Sequence, residues 1–117
     1  MIIFRGFSKH FGSQRAVESL DLEIGRGEVV ALLGPNGSGK TTSLKAAAGL
    51  VRPSAGEVLL GDPPRPASEP AARTILSFLP QKVAFPESLS GREVVEFYRS
   101  LRGAPPKRSD EVLRFAS

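Results

Sequence analysis

The residues best equipped for chemistry stand in one run: Gly34, Pro35, Asn36, Gly37, Ser38, Gly39, Lys40 and Thr41. They fit the pattern G-x-x-x-x-G-K-[ST]. Glycines in such a run let the backbone bend around an anion, so that successive amide N–H groups and the start of a following helix point at α- and β-phosphates. Lys40 then reaches the β- and γ-phosphate oxygens, and the Thr41 hydroxyl suits Mg²⁺. The alternative is a glycine-rich strand-to-helix turn without a ligand, and the flanking elements weigh against it. The single histidine, His10, reads as an exposed loop residue and supports no metal site. With no cysteine in the chain, neither disulfides nor thiolate zinc sites are available.

A phosphate loop needs a strand before it and a helix after it. Val29, Val30, Ala31, Leu32 and Leu33 are apolar on both faces, as in a central parallel strand covered by helices on both sides. After Gly39 a helix is expected with Leu44, Ala47 and Ala48 toward the sheet, ending near Gly49 and Pro53. Residues 1–4 and 20–24 read as short strands, the second alternating apolar and acidic, and residues 56–61 as another between glycines. Residues 63–70 hold four prolines and read as a loop outside any sheet. Residues 74–79 read as a second buried strand, stopping at Pro80 and Gln81. From Ser90 the period becomes helical, with Val94, Phe97, Tyr98 and Leu101 on one face and Gly103 and Pro105 ending it. A last helix is expected from Ser109, with Asp110 and Glu111 in its first turn.

At 117 residues the chain fits one small domain. Its formal charge of +4 is spread among acids, with a mild excess over residues 92–114 and no run of like charge. That distribution argues for a solvated surface and against nucleic acid; a basic face near a membrane or partner is the alternative. No apolar stretch approaches the roughly 20 residues that span a bilayer, and residues 1–4 are too brief for a signal sequence. The expectation is a soluble, cytosolic chain.

Residues 25–42, GRGEVVALLGPNGSGKTT, followed by Ala48, Gly49 and Leu50 and then by PSAGEV at 53–58, resemble the ATP-binding cassette (ABC) ATPases, and the resemblance covers essentially the whole chain. It implies an α/β fold of the P-loop NTPase, ABC type: a β subdomain, part of a parallel core and the start of a helical subdomain. Residues 1–88 would be the nucleotide-binding portion and 89–117 the beginning of the helical subdomain. It extends the ATP contacts to Thr42 and gives two further residues a role. Phe11, in His10-Phe11-Gly12, matches the family's aromatic that stacks on adenine, with a core position beside Phe4 and Phe7 as the alternative. Gln81 matches the family's glutamine that touches Mg²⁺ or the attacking water, the alternative being a plain surface glutamine.

Leu89, Ser90, Gly91, Arg92 and Glu93 look like the family's LSGGQ signature but follow Gln81 too closely; Ser90 and Glu93 instead form an S-x-x-E capping box before an apolar helix face. The family's true signature, its Walker B aspartate, catalytic glutamate and switch histidine would all lie after Ser117. Two expectations follow: the isolated chain does not turn over ATP, and residues 29–33 are left as an open sheet edge. The function implied is the ATP-binding subunit of an ABC transporter, coupling MgATP binding and hydrolysis to transport. Its partners would be a second ATP-binding subunit and an integral membrane permease, its place the cytoplasmic face of the cell membrane. Residues 89–101 look more like exporter-type members than sugar importers. The other classes are an ABC protein of translation or DNA repair, and a non-catalytic nucleotide-binding module.

Overall fold

The structure, a computed structural model, describes all residues, Met1–Ser117. The chain forms two compact units, Met1–Phe78 and Leu79–Ser117.

The first unit is built on a long hairpin, β1 (Ile2–Phe11) and β2 (Gln14–Ile24). Its tip is a two-residue turn with Gly12 first, at φ 58°, where a type II′ turn requires positive φ. β3 (Ala55–Leu60) and a two-residue β4 (Arg65–Pro66) complete a sheet of order β2-β1-β3-β4. Every pairing in it is antiparallel. The hairpin runs through a polar, glycine-interrupted stretch because side chains patch its irregular register. Gly6 N–H donates to Asp21 Oδ1 at 2.7 Å, Ser19 N–H to Ser8 Oγ at 2.9 Å, and His10 N–H to Ser54 Oγ at 3.0 Å. Backbone donors freed by a bulge are thereby satisfied locally.

One face of the sheet carries the core. Phe4 and Phe7 meet edge to face, with ring centroids 5.5 Å apart. Val58 and Leu60 join them from β3, and Ala46 and Ala47 from helix α1 (Lys40–Ala47). The alanines let the helix lie close to the sheet. A short 3-10 helix, Ala72–Ile75, is tied to the end of α1 by Arg73, whose Nη1 donates to the Gly49 carbonyl at 3.1 Å.

Four expectations are corrected here. Residues 29–33 join no ladder and stand in solvent, Val29 at 99% and Leu33 at 91% exposure. Residues 74–79 are not a strand either: Thr74 and Ile75 end the 3-10 helix, and Leu79 is 84% exposed. Both segments have the composition of buried parallel strands, but a strand exists only against a neighbour, and no strand of this chain lies beside them. The proline-rich loop does enter the sheet, since Arg65 and Pro66 pair with Leu60 and Leu59; an edge position tolerates a residue without an N–H. On α1, Ala47 and Ala48 are buried as expected, but Ser43 and Ala46 join them in place of Leu44, which stays half exposed.

The second unit is a helical hairpin of α2 (Gly91–Arg102) and α3 (Lys107–Ala116). The capping box forms: Glu93 N–H donates to Ser90 Oγ at 3.3 Å, and Ser90 N–H to Glu93 Oε2 at 2.7 Å. α2 ends at Gly103. The face begun at Val94 is not buried; Phe97, Tyr98 and Leu101 are exposed, with Tyr98 edge to face against Phe85 at 6.2 Å. α3 starts two residues before Ser109, directly after its N-cap Pro106, whose φ of −53° and ψ of −39° are already helical. No helix in the structure is long and apolar enough to cross a membrane.

Candidate functional site

The end of the hairpin and the start of α1 enclose a cleft of about 400 Å³. Phe11, Gln14 and Ala16 line it from the hairpin, and residues 36–42 from the loop and the first turn of the helix. That volume is in the range of small-ligand sites.

The loop's shape follows from its sequence. Ser38 N–H closes a turn on the Pro35 carbonyl at 3.2 Å, and Ser43 N–H makes the first helical bond to the Gly39 carbonyl at 2.9 Å. Gly39 is the N-cap of α1, at φ 94° and ψ 4°, and no side chain caps the helix there. The amides of the first turn therefore remain free to meet an anion, and the positive end of the helix faces it. Gly39 is also where the loop touches the sheet. A Cβ at this position would lie 2.6 Å from the Ala16 carbonyl oxygen and 2.8 Å from Val17 Cγ2, so only glycine lets the loop sit this close to β2.

Lys40 folds over the loop. Its Nζ donates to the carbonyls of Gly34 and Pro35, the latter at 2.8 Å, and to Ser38 Oγ at 3.3 Å. An ammonium has three protons, so these three acceptors saturate it. Gly34 and Pro35 thus take part through their carbonyls while lying outside the cleft lining. The Thr41 side chain is exposed and Thr42 half-buried, both at the cleft.

Phe11 is no core residue. It is 49% exposed, flanks the cleft, and has Lys9 Nζ over its ring at 5.1 Å from the centroid. Gln14 was not legible as a site residue. It faces Phe11 across the hairpin turn, and only the strand register reveals that. Gln81 belongs to the second unit, exposed in an irregular segment, and is not among the lining residues.

In the second unit two carboxylates are perturbed. Glu93 is held below the usual carboxylate range by the Ser90 backbone and then by its hydroxyl. Glu96 is lowered first by the adjoining Ser109 hydroxyl and then by Arg99, which it meets at 2.8 Å. The Ser109 hydroxyl is buried beside Glu96, and the lowering comes from its donation toward the carboxylate, although the contact falls outside strict hydrogen-bond geometry. Both shifts belong to helix capping and pairing and point to no catalytic acid.

A bent, glycine-rich loop feeding an uncapped helix, with a lysine laid over it and an aromatic ring across the cleft, defines a nucleotide-binding domain of the P-loop kind. The chain belongs to the ABC transporter ATP-binding family, which binds ATP: the family matches over residues 17–116. Among curated relatives, the daunorubicin resistance ATP-binding protein DrrA3 of Streptomyces coeruleorubidus is 35% identical over 92% of this chain and 35% of its own length. The sulfate/thiosulfate import ATP-binding protein CysA of a Synechocystis species is 36% identical, over 94% of this chain and 31% of that protein. A solved structure described as the ATP-binding subunit of an ABC transporter superposes with a TM-score of 0.78 at 27% identity, covering 91% of this chain and 44% of the other. The chain therefore has the ABC ATP-binding fold over the part it spans, which is about a third of the length of these two curated relatives.

Proposed function

We propose that the cleft between the phosphate loop and Phe11 binds MgATP, as part of the ATP-binding subunit of an ABC transporter. The observation that carries this is the uncapped N-terminus of α1 behind a loop whose lysine already lies over it. Residues 34–42 would hold the phosphates through their amides, with Lys40 exchanging one or more loop acceptors for β- and γ-phosphate oxygens. The exposed Thr41 hydroxyl is the side chain of the loop that would hold Mg²⁺. Bound there, Mg²⁺ neutralises charge on the β/γ oxygens. Gln81 would sense the metal or the attacking water, its amide both donating and accepting. Residues 1–88 would then act as the nucleotide-binding portion, and 89–117 as the start of the helical subdomain.

Hydrolysis needs a positioned base and charge compensation at the γ-phosphate. No carboxylate lines the cleft, and an amide is no base near neutral pH. The chain by itself would then act as a binding unit. Turnover, and its coupling to a membrane permease at the cytoplasmic face, belongs to an assembly with a second ATP-binding subunit. The daunorubicin resistance and sulfate/thiosulfate import relatives match almost equally, at 35% and 36% identity, so these identities favour neither direction of transport. The resemblance of residues 89–101 to exporter-type members is the feature that favours export.

The test is Lys40→Ala with isothermal titration of MgATP against wild type. Loss of binding by tenfold or more, the scale of a charge-assisted contact to phosphate, is expected. Unchanged affinity overturns the assignment.

A further inference from the structure

We propose that Lys9 is a positioning residue for nucleobase recognition: its ammonium covers one face of the Phe11 ring and thereby presents the other to the base of the bound nucleotide. This rests on the nucleotide-binding role proposed for the cleft and deepens it. Lys9 and Phe11 lie two residues apart on β1, and their side chains meet across the register shift between Lys9 and His10. Lys9 Nζ lies 5.1 Å from the ring centroid, inside the roughly 6 Å range of a cation–π contact. Phe11 lines the cleft and Lys9 is not among its lining residues. None of the ion pairs in the structure involves Lys9, so no carboxylate draws it off the ring.

Two physical consequences follow. A ring that is about half exposed at a hairpin tip has rotamer freedom, and a cation held on one face restricts it before the ligand arrives, which lowers the ordering cost of binding. The cation also draws π density toward itself, making the far face less negative and less repulsive to the face of a stacked base. The ligand class favoured is a nucleotide with a large planar base, a purine before a pyrimidine. The phosphate end is left to Lys40 and the loop amides.

The experiment titrates the full chain with MgATP and with inorganic tripolyphosphate, which has no base. Lys9→Met keeps the length of the side chain and removes its charge; Lys9→Arg keeps the charge. Lys9→Met should weaken MgATP by about 2- to 5-fold, the scale of an exposed cation–π contact, and leave tripolyphosphate unchanged. Lys9→Arg should restore MgATP affinity, and Lys9→Met added to Phe11→Ala should cost nothing further. Equal weakening of both ligands would make Lys9 a phosphate-attracting charge and overturn the proposal, as would unchanged MgATP affinity or additivity with Phe11→Ala. Wild type binding neither ligand would instead sink the nucleotide-binding role itself, and this inference with it.

Discussion

Gly39→Ala should destabilise the first unit more than any other single methyl added to the phosphate loop, for two separable reasons. Gly39 sits at φ 94°, where an L side chain costs roughly 1–2 kcal/mol. The added Cβ would also be 2.6 Å from the Ala16 carbonyl oxygen and 2.8 Å from Val17 Cγ2. Ala16 O is backbone and cannot rotate away, so the loop or β2 must move, an overpacking cost of about 1–3 kcal/mol. Gly37→Ala supplies the control: its φ of 84° carries similar strain, but nothing lies within 4 Å of its would-be Cβ. Urea unfolding followed by circular dichroism should place the Gly39→Ala midpoint below that of Gly37→Ala by about 0.5–1.5 M, taking a slope near 2 kcal/mol per M. MgATP affinity should fall with it, because the displaced loop lines the same cleft as Phe11. Equal midpoints for the two variants would refute the claim that contact with β2 holds the loop.

Phe11→Ala should weaken MgATP by about 0.5–1.5 kcal/mol, the scale of an aromatic stacking contact, with Phe11→Tyr tolerated; titration of both variants checks it. Ser90→Ala should cost α2 about 1 kcal/mol, read as lost helicity on heating. Glu93 has a folded-state pKa below its unfolded value, so its contribution to stability is present above the unfolded pKa and lost as pH falls through the folded one. The stability gap between wild type and Glu93→Ala should therefore be full near neutral pH and shrink in acid below about pH 4, which urea titrations at several pH values would show. The purified chain with MgATP should release no phosphate above background, and release that vanishes in Lys40→Ala would disprove that.

The parts of the fold legible from the residues alone are those whose physics is local. The start of α1 after Gly39 rests on local backbone requirements, and the Ser90–Glu93 box is two hydrogen bonds within four residues; both stand where the spacing put them. The hairpin was only half visible, since Arg5, Gly6, Ser8, Lys9 and His10 interrupt any alternation. Its continuity comes from Asp21, Ser8 and Ser54 patching the ladder, contacts 11 to 44 residues apart that no window reveals. Leu44 shows the same gap in a helix. Hydrophobicity alone would turn it inward, but the direction of the sheet selects Ser43, Ala46 and Ala47 instead.

Residues 29–33 carry the more general lesson. Their composition specifies burial on both faces, and burial on both faces is a property of neighbours, so the segment stands exposed where no strand flanks it. The loop that follows nonetheless keeps a bent, anion-ready shape. Its support therefore does not come from the segment before it. It comes from behind, where Gly39 rests on Ala16 and Val17 of β2, and from ahead, where Ser43, Ala46 and Ala47 anchor α1 in the core with Phe4 and Phe7. The same hairpin that seats the loop carries Phe11 at its tip, so one antiparallel element fixes both ends of the cleft. Phosphate affinity and base affinity should then respond together to damage in β2, and separately to damage at Lys40 or Phe11.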